Sequence, residues 1–129
     1  MILLDTHVLV WLAGDPARLS PPAREAIAVE PELAIGAITV QEIAYLSVRG
    51  RLTIDRPVET WSGDALGVHE IRVLAPTVTV ALRAGSLDPA TFHGDPIDRL
   101  IFATAVEHDI RLVSADERLR AADPSRVIW

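Results

Sequence analysis

Residues 1–11 read MILLDTHVLVW, an apolar run interrupted by one acid, Asp5. A continuous apolar stretch ending at a polar residue predicts a short buried strand over residues 1–5. From Thr6 to Ala13 the pattern suits a helix, which Gly14-Asp15-Pro16 then breaks. A carboxylate at that seam is costly, since an unpaired buried charge destabilises a fold by several kcal/mol. Neither a cap nor a helix dipole is expected to account for Asp5, and the plain alternative is an Asx-type turn into the helix. A role in a functional site explains the residue better.

Working outward, the strand-then-helix alternation repeats. Ser20-Pro21-Pro22 supplies a cap followed by proline in the first helical turn, so PPAREAIAVE (21–30) reads as a helix. ELAIGAI (32–38) reads as a second buried strand, and TVQEIAYLSVRG (39–50) as a helix with one apolar face. Pro57 to Gly67 is a further helix, and EIRVLAP (70–76) a third strand closed by proline. TVTVALRAGSL (77–87) has the β-branching of a strand and the Ala/Leu/Arg tail of a helix. Helix is favoured because a connection between strands is due there. After the loop DPATFHG (88–94) come the helix DPIDRLIFATAVEHD (95–109), a fourth strand IRLVSAD (110–116), a short helix ERLRAAD (117–123) and a final strand RVIW (126–129). Such alternation implies an α/β fold, a central parallel sheet of about five strands with helices on both faces.

The chain has 129 residues and 50% hydrophobic composition, which fits a single domain over residues 1–129. Cysteine is absent, so disulfides, zinc–thiolate sites and a cysteine nucleophile are excluded, and a reducing cytoplasm is the expected location. No apolar stretch approaches the roughly 18 residues of a membrane span, and no basic-then-apolar leader opens the sequence, so a soluble protein is expected. The net charge of −6 argues against nucleic-acid binding by bulk electrostatics. It leaves room for a nuclease whose acids are neutralised by metal ions, with a local arginine track for phosphates. The 12 basic residues are all arginine.

In an open parallel sheet the functional crevice lies beyond the carboxyl ends of the strands. Asp5 ends the first strand, Asp116 follows the fourth, and Glu42 lies within about the first turn of the helix after the second. Asp95 and Asp98 open the long helix whose start returns to the same rim. Each has a plainer reading: Asp95 before Pro96 is a good N-cap, Asp98 complements the helix dipole, and Ser114 to Glu117 spells a capping box around Asp116. Together they repel one another and raise each other's pKa unless cations lie between them. Oxygen ligands of this kind suit Mg²⁺ or Mn²⁺, and ions held there can activate water for attack on a phosphodiester.

LLDTHVLVW, TVQEIAYL, HGDPIDRLIFATA and LVSADERL resemble, in order and spacing, the PIN-domain ribonucleases, and more closely the VapC-type toxins of bacterial toxin–antitoxin pairs. The resemblance implies a three-layer α/β/α fold and metal-binding acids at Asp5, Glu42, Asp98 and Asp116. It further implies a homodimer and a small antitoxin that blocks the site. Thr6 matches a hydroxyl residue that orients the first acid, and Asp95 an acid that serves beside the metal ligands as well as a cap. Arg99 is a candidate for contact with a scissile phosphate, against a structural ion pair. His7 and His93 lie near the rim but stay outside the metal set, because hard ions prefer oxygen. Trp11, Tyr45 and Trp61 are candidates for base stacking, against ordinary packing.

The expected activity is metal-dependent hydrolysis of RNA, with Mg²⁺ as cofactor and Mn²⁺ as a substitute. DNA would be met only through the antitoxin, and no membrane is involved. A haloacid-dehalogenase phosphatase would need an acid at position 7, where His7 stands, and a receiver domain would need a lysine, which the chain lacks. The remaining alternative is a PIN-like binding module that does not cleave RNA and acts with an antitoxin in transcriptional autoregulation.

Overall fold

The computed structural model describes residues 1–92 and 94–129, so the His93 considered above lies outside the described residues. Five strands form one parallel sheet: β1 (Ile2–Leu4), β2 (Leu33–Gly36), β3 (Arg72–Leu74), β4 (Arg111–Val113) and β5 (Val127–Ile128), in the order β3-β2-β1-β4-β5. The helices are α1 (Thr6–Gly14), α2 (Pro21–Val29), α3 (Ala37–Val48), α4 (Val58–Val68), α5 (Val78–Ser86), α6 (Pro96–Glu107) and α7 (Glu117–Ala122).

Side chains alternate across each strand, and this alternation builds the layers. Ile2, Leu4, Ile35 and Val113 face one way, where they meet Val8 and Leu9 of α1, Ala23 and Ala26 of α2, Ile43 of α3 and Trp61 of α4. Leu3, Ala34, Leu112 and Val127 face the other way, onto Ile101, Phe102 and Ala105 of α6 and Leu119 of α7. Val80 and Ala84 of α5 pack on Ala103 of α6, outside that layer. The result is the three-layer α/β/α sandwich. β1 lies at its centre with Ile2, Leu3 and Leu4 fully buried, and strand order reverses between β1 and β4, where a doubly wound sheet opens a crevice.

Three local expectations are corrected. The second strand stops at Gly36, and Ala37 and Ile38 belong to α3; the β-branched run Ile38-Thr39-Val40 imitates a strand, but Thr39 and Ile43 are buried four residues apart, as a helix face requires. Glu42 accordingly falls in the second turn of α3. Asp5 does have a capping role, being the N-cap of α1 with φ −68° and ψ 160°. The breaker after α1 also contains a 3₁₀ turn, Pro16–Arg18. The ambiguous segment 77–87 is helical, capped by the Thr77 hydroxyl, which accepts from the Val80 N–H at 3.1 Å.

Candidate active site

Asp5 is 6% exposed at the end of β1, and both its oxygens are engaged. Oδ1 accepts the Thr6 N–H at 2.7 Å, and Oδ2 accepts the hydroxyl of fully buried Ser114, just past β4, at 2.6 Å. The Asp5 N–H donates to the Val113 carbonyl, extending the ladder between the two central strands to the rim. Burial still pushes the Asp5 carboxyl above its ordinary range, against the lowering effect of those hydrogen bonds. Ser114 also accepts the Asp116 N–H at 3.1 Å, so one hydroxyl sets both acids. The sequence reading gave Ser114 only the start of a capping box, whereas the cap of α7 is Asp116 itself.

Asp98 lies in the first turn of α6, with its carboxyl pushed up to about 7, first by burial and then by the charges of Asp5, Asp95, Asp116 and Glu42. Glu42 is raised for the same leading reason, burial, with the Thr6 hydroxyl acting against it and Asp5 adding to it. The Thr6 oxygen is buried beside Glu42 and makes no hydrogen bond of ordinary geometry among the described residues. Asp95 caps α6, accepting from the Ile97 and Asp98 N–H groups at 2.9 and 3.3 Å. It also faces the cleft.

That cleft has a volume of about 580 Å³ and is lined by Asp5, Glu42, Asp95, Asp98 and Asp116 together with His7, Trp11, Arg18, Arg51 and Arg118. A second hollow of about 520 Å³ continues it past Glu42 and Asp95 to Tyr45 and Ile97. The topology therefore brings the acids chosen from sequence into one concavity. Among the described residues, no group of three or more His, Asp or Glu side chains is close enough as placed to hold a metal ion. The acids instead line an open cleft, and their all-oxygen character and mutual repulsion suit a hard divalent cation.

Arg99 is placed differently from its neighbour Asp98. Its guanidinium donates to the carbonyls of Ala84 and Leu87 at 2.9–3.1 Å and lies over Phe92, tying α6 to the end of α5. The arginine that meets the acids is Arg118, which sequence reasoning passed over. It grips Asp116 at 2.6 Å and approaches Asp98 at 3.6 Å. Its signal was its position two residues beyond an acid at the start of a helix, too common a pattern to single out. Trp61 is 8% exposed in the core, whereas Trp11 and Tyr45 border the cleft and its continuation.

A family model described as PIN domain matches residues 2–124. The chain is 45% identical to Ribonuclease VapC22 of Mycobacterium tuberculosis over 120 residues, covering 93% of this chain and 90% of that protein. A toxin-antitoxin complex from Klebsiella pneumoniae shares the fold with a TM-score of 0.71 at 23% identity, covering 100% of this chain and 97% of the other. DNA-bound VapBC from Salmonella typhimurium gives 0.69 at 17% identity, covering 98% and 95%. An acid-lined crevice at the reversal of a five-stranded parallel sheet thus coincides with relatedness along nearly the whole sequence, and the chain belongs to the PIN-domain family, with the VapC ribonucleases.

Proposed function

We propose that this chain is a divalent-cation-dependent endoribonuclease, the toxin of a toxin–antitoxin pair, acting in the cytoplasm as one domain over residues 1–129. The observation that carries the reading is the convergence of Asp5, Glu42, Asp98 and Asp116 on one cleft, where burial and mutual repulsion push Asp98 up to about 7. Asp5, Asp98 and Asp116 would hold Mg²⁺, or Mn²⁺ in its place, with Glu42 a fourth ligand or the group that positions water. When bound, such an ion acidifies water and stabilises charge on phosphodiester oxygens.

The chain's own residues do the rest. Ser114 and the Thr6 N–H hold both Asp5 oxygens in fixed directions. Glu42, its carboxyl pKa raised by burial, lines the same cleft, where it would position the attacking water and accept its proton. A bond forms between water oxygen and phosphorus as the bond to one ester oxygen breaks. No side chain need become a covalent nucleophile.

The kinship with VapC22 supports RNA as substrate. A structural relative described as a toxin-antitoxin complex, and another as DNA-bound VapBC, support a cognate antitoxin as partner, with DNA reached through it. A homodimer is the proposed unit. Among the described residues no helix is long and apolar enough to cross a membrane, and no membrane partner is proposed.

The test is incubation of purified, partner-free protein with a panel of structured RNAs and Mg²⁺ or Mn²⁺, beside Asp98→Asn and a chelator control. Cleavage by the native protein alone, abolished by chelator, is expected. Equal cleavage by both proteins would overturn the mechanism, and no metal-supported cleavage at all would favour the non-cleaving binding module.

A further inference from the structure

Arg18 and Arg51 both line the acid cleft, yet among the described residues neither makes an ion pair or a side-chain hydrogen bond. Four other arginines are held in ion pairs on the surface or at the cleft edge: Arg56 with Asp55 and Asp64, Arg72 with Glu32, Arg83 with Glu107, and Arg118 with Asp116. Arg18 reaches the cleft from the 3₁₀ turn after α1, and its guanidinium is held by stacking, 4.6 Å from the centre of the Trp11 ring. Trp11 is itself packed against Trp129 at 5.5 Å. Arg51 enters from the segment after α3 and lines the continuing hollow as well.

Stacking orients a guanidinium without using its N–H donors, and an open planar fork of donors is well matched to phosphate oxygens. The need for such groups follows from charge. A chain of net charge −6 with its acids in the cleft repels a polyanion, so the approach of RNA requires local cations on the path beside those acids.

We infer that Arg18 and Arg51 form a two-point clamp on the RNA backbone, each holding a phosphate neighbouring the scissile one. The clamp rests on the ribonuclease reading of the same cleft. Arg118, bonded to the acids, is not part of it.

The experiment measures equilibrium binding of a short mixed-sequence single-stranded oligoribonucleotide to the partner-free protein across a series of salt concentrations. Ca²⁺ replaces Mg²⁺, and a gel verifies that the RNA stays intact. Each of Arg18→Gln and Arg51→Gln should flatten the slope of log K against log salt by about 0.7, and the double variant by about 1.4. Arg18→Lys and Arg51→Lys should keep the native slope. So should Arg72→Gln, which alters an arginine paired with Glu32 and leading into β3, at the opposite end of the strands. Native binding with an unchanged slope in the double variant would overturn the clamp alone. Lysine variants as flat as the glutamine ones would also overturn it, because packing rather than charge would then be responsible. Native protein that neither binds nor cleaves RNA would overturn the clamp and the ribonuclease reading together.

Discussion

Asp98 concentrates the electrostatic cost of the site. Its carboxyl titrates near 7 in the fold against 3.8 when unperturbed, so between those values the folded chain holds a proton that the unfolded chain has lost. The contribution of Asp98 to the stability of the metal-free protein should therefore be most favourable below about pH 4, fall as pH rises, and level off above about pH 7. Asp98→Asn removes the titration, so it should flatten this dependence and stabilise the metal-free protein at neutral pH by a few kcal/mol. Denaturant unfolding across that pH range checks it, and a slope equal to native would contradict it. Ser114→Ala should act in the opposite sense, because it strips a hydrogen bond from a buried carboxylate, costing about 1–3 kcal/mol. Ser114→Thr, which keeps the hydroxyl, should recover most of the loss in the same unfolding measurement. Arg118 occupies Asp116 and approaches Asp98, the acids proposed to hold the cation. Arg118→Gln should tighten Mn²⁺ binding several-fold in calorimetric titration, and weaker binding would show that the arginine does not compete.

At the scale of elements, the sheet and α6 share the work of positioning. Ile101 of α6 is fully buried against the face that carries Leu3 and Leu112. Ile101→Ala should lower stability by about 2–5 kcal/mol with an unchanged denaturant slope, whereas Leu82→Ala in α5, where Leu82 is 66% exposed, should have little effect. The element pattern was largely legible in the sequence, because strands buried on both faces read as apolar runs and helix starts carry caps at Ser20 and Asp95. The boundary at Gly36 was not, since β-branched residues serve both a strand end and a helix start. The convergence of Asp5, Glu42, Asp95, Asp98 and Asp116 on one rim was legible because strand ends and helix starts in a parallel sheet converge by rule. What stayed hidden depended on side-chain direction: the hydroxyl of Ser114 turned to Asp5 as well as to the start of α7, Arg118 turned to Asp116 and Asp98, and Arg99 turned to the carbonyls at the end of α5.

For the whole molecule, the fold gathers carboxylates whose repulsion it tolerates only at a cost in stability. Order along the chain explains how. Asp5 and Asp116 follow the adjacent strands β1 and β4, and α3 and α6 return Glu42 and Asp98 to the same rim. A cation that binds the folded chain and not the unfolded one must then raise stability by mass action, by about 2.7 kcal/mol at a hundredfold excess over its dissociation constant. The most direct measurement of the central claim is the thermal unfolding of partner-free protein titrated with Mn²⁺, beside Asp98→Asn. A saturable rise in unfolding temperature is expected for the native protein, reversed by chelator and strongly reduced in the variant. No rise, or an equal rise in both proteins, would contradict it.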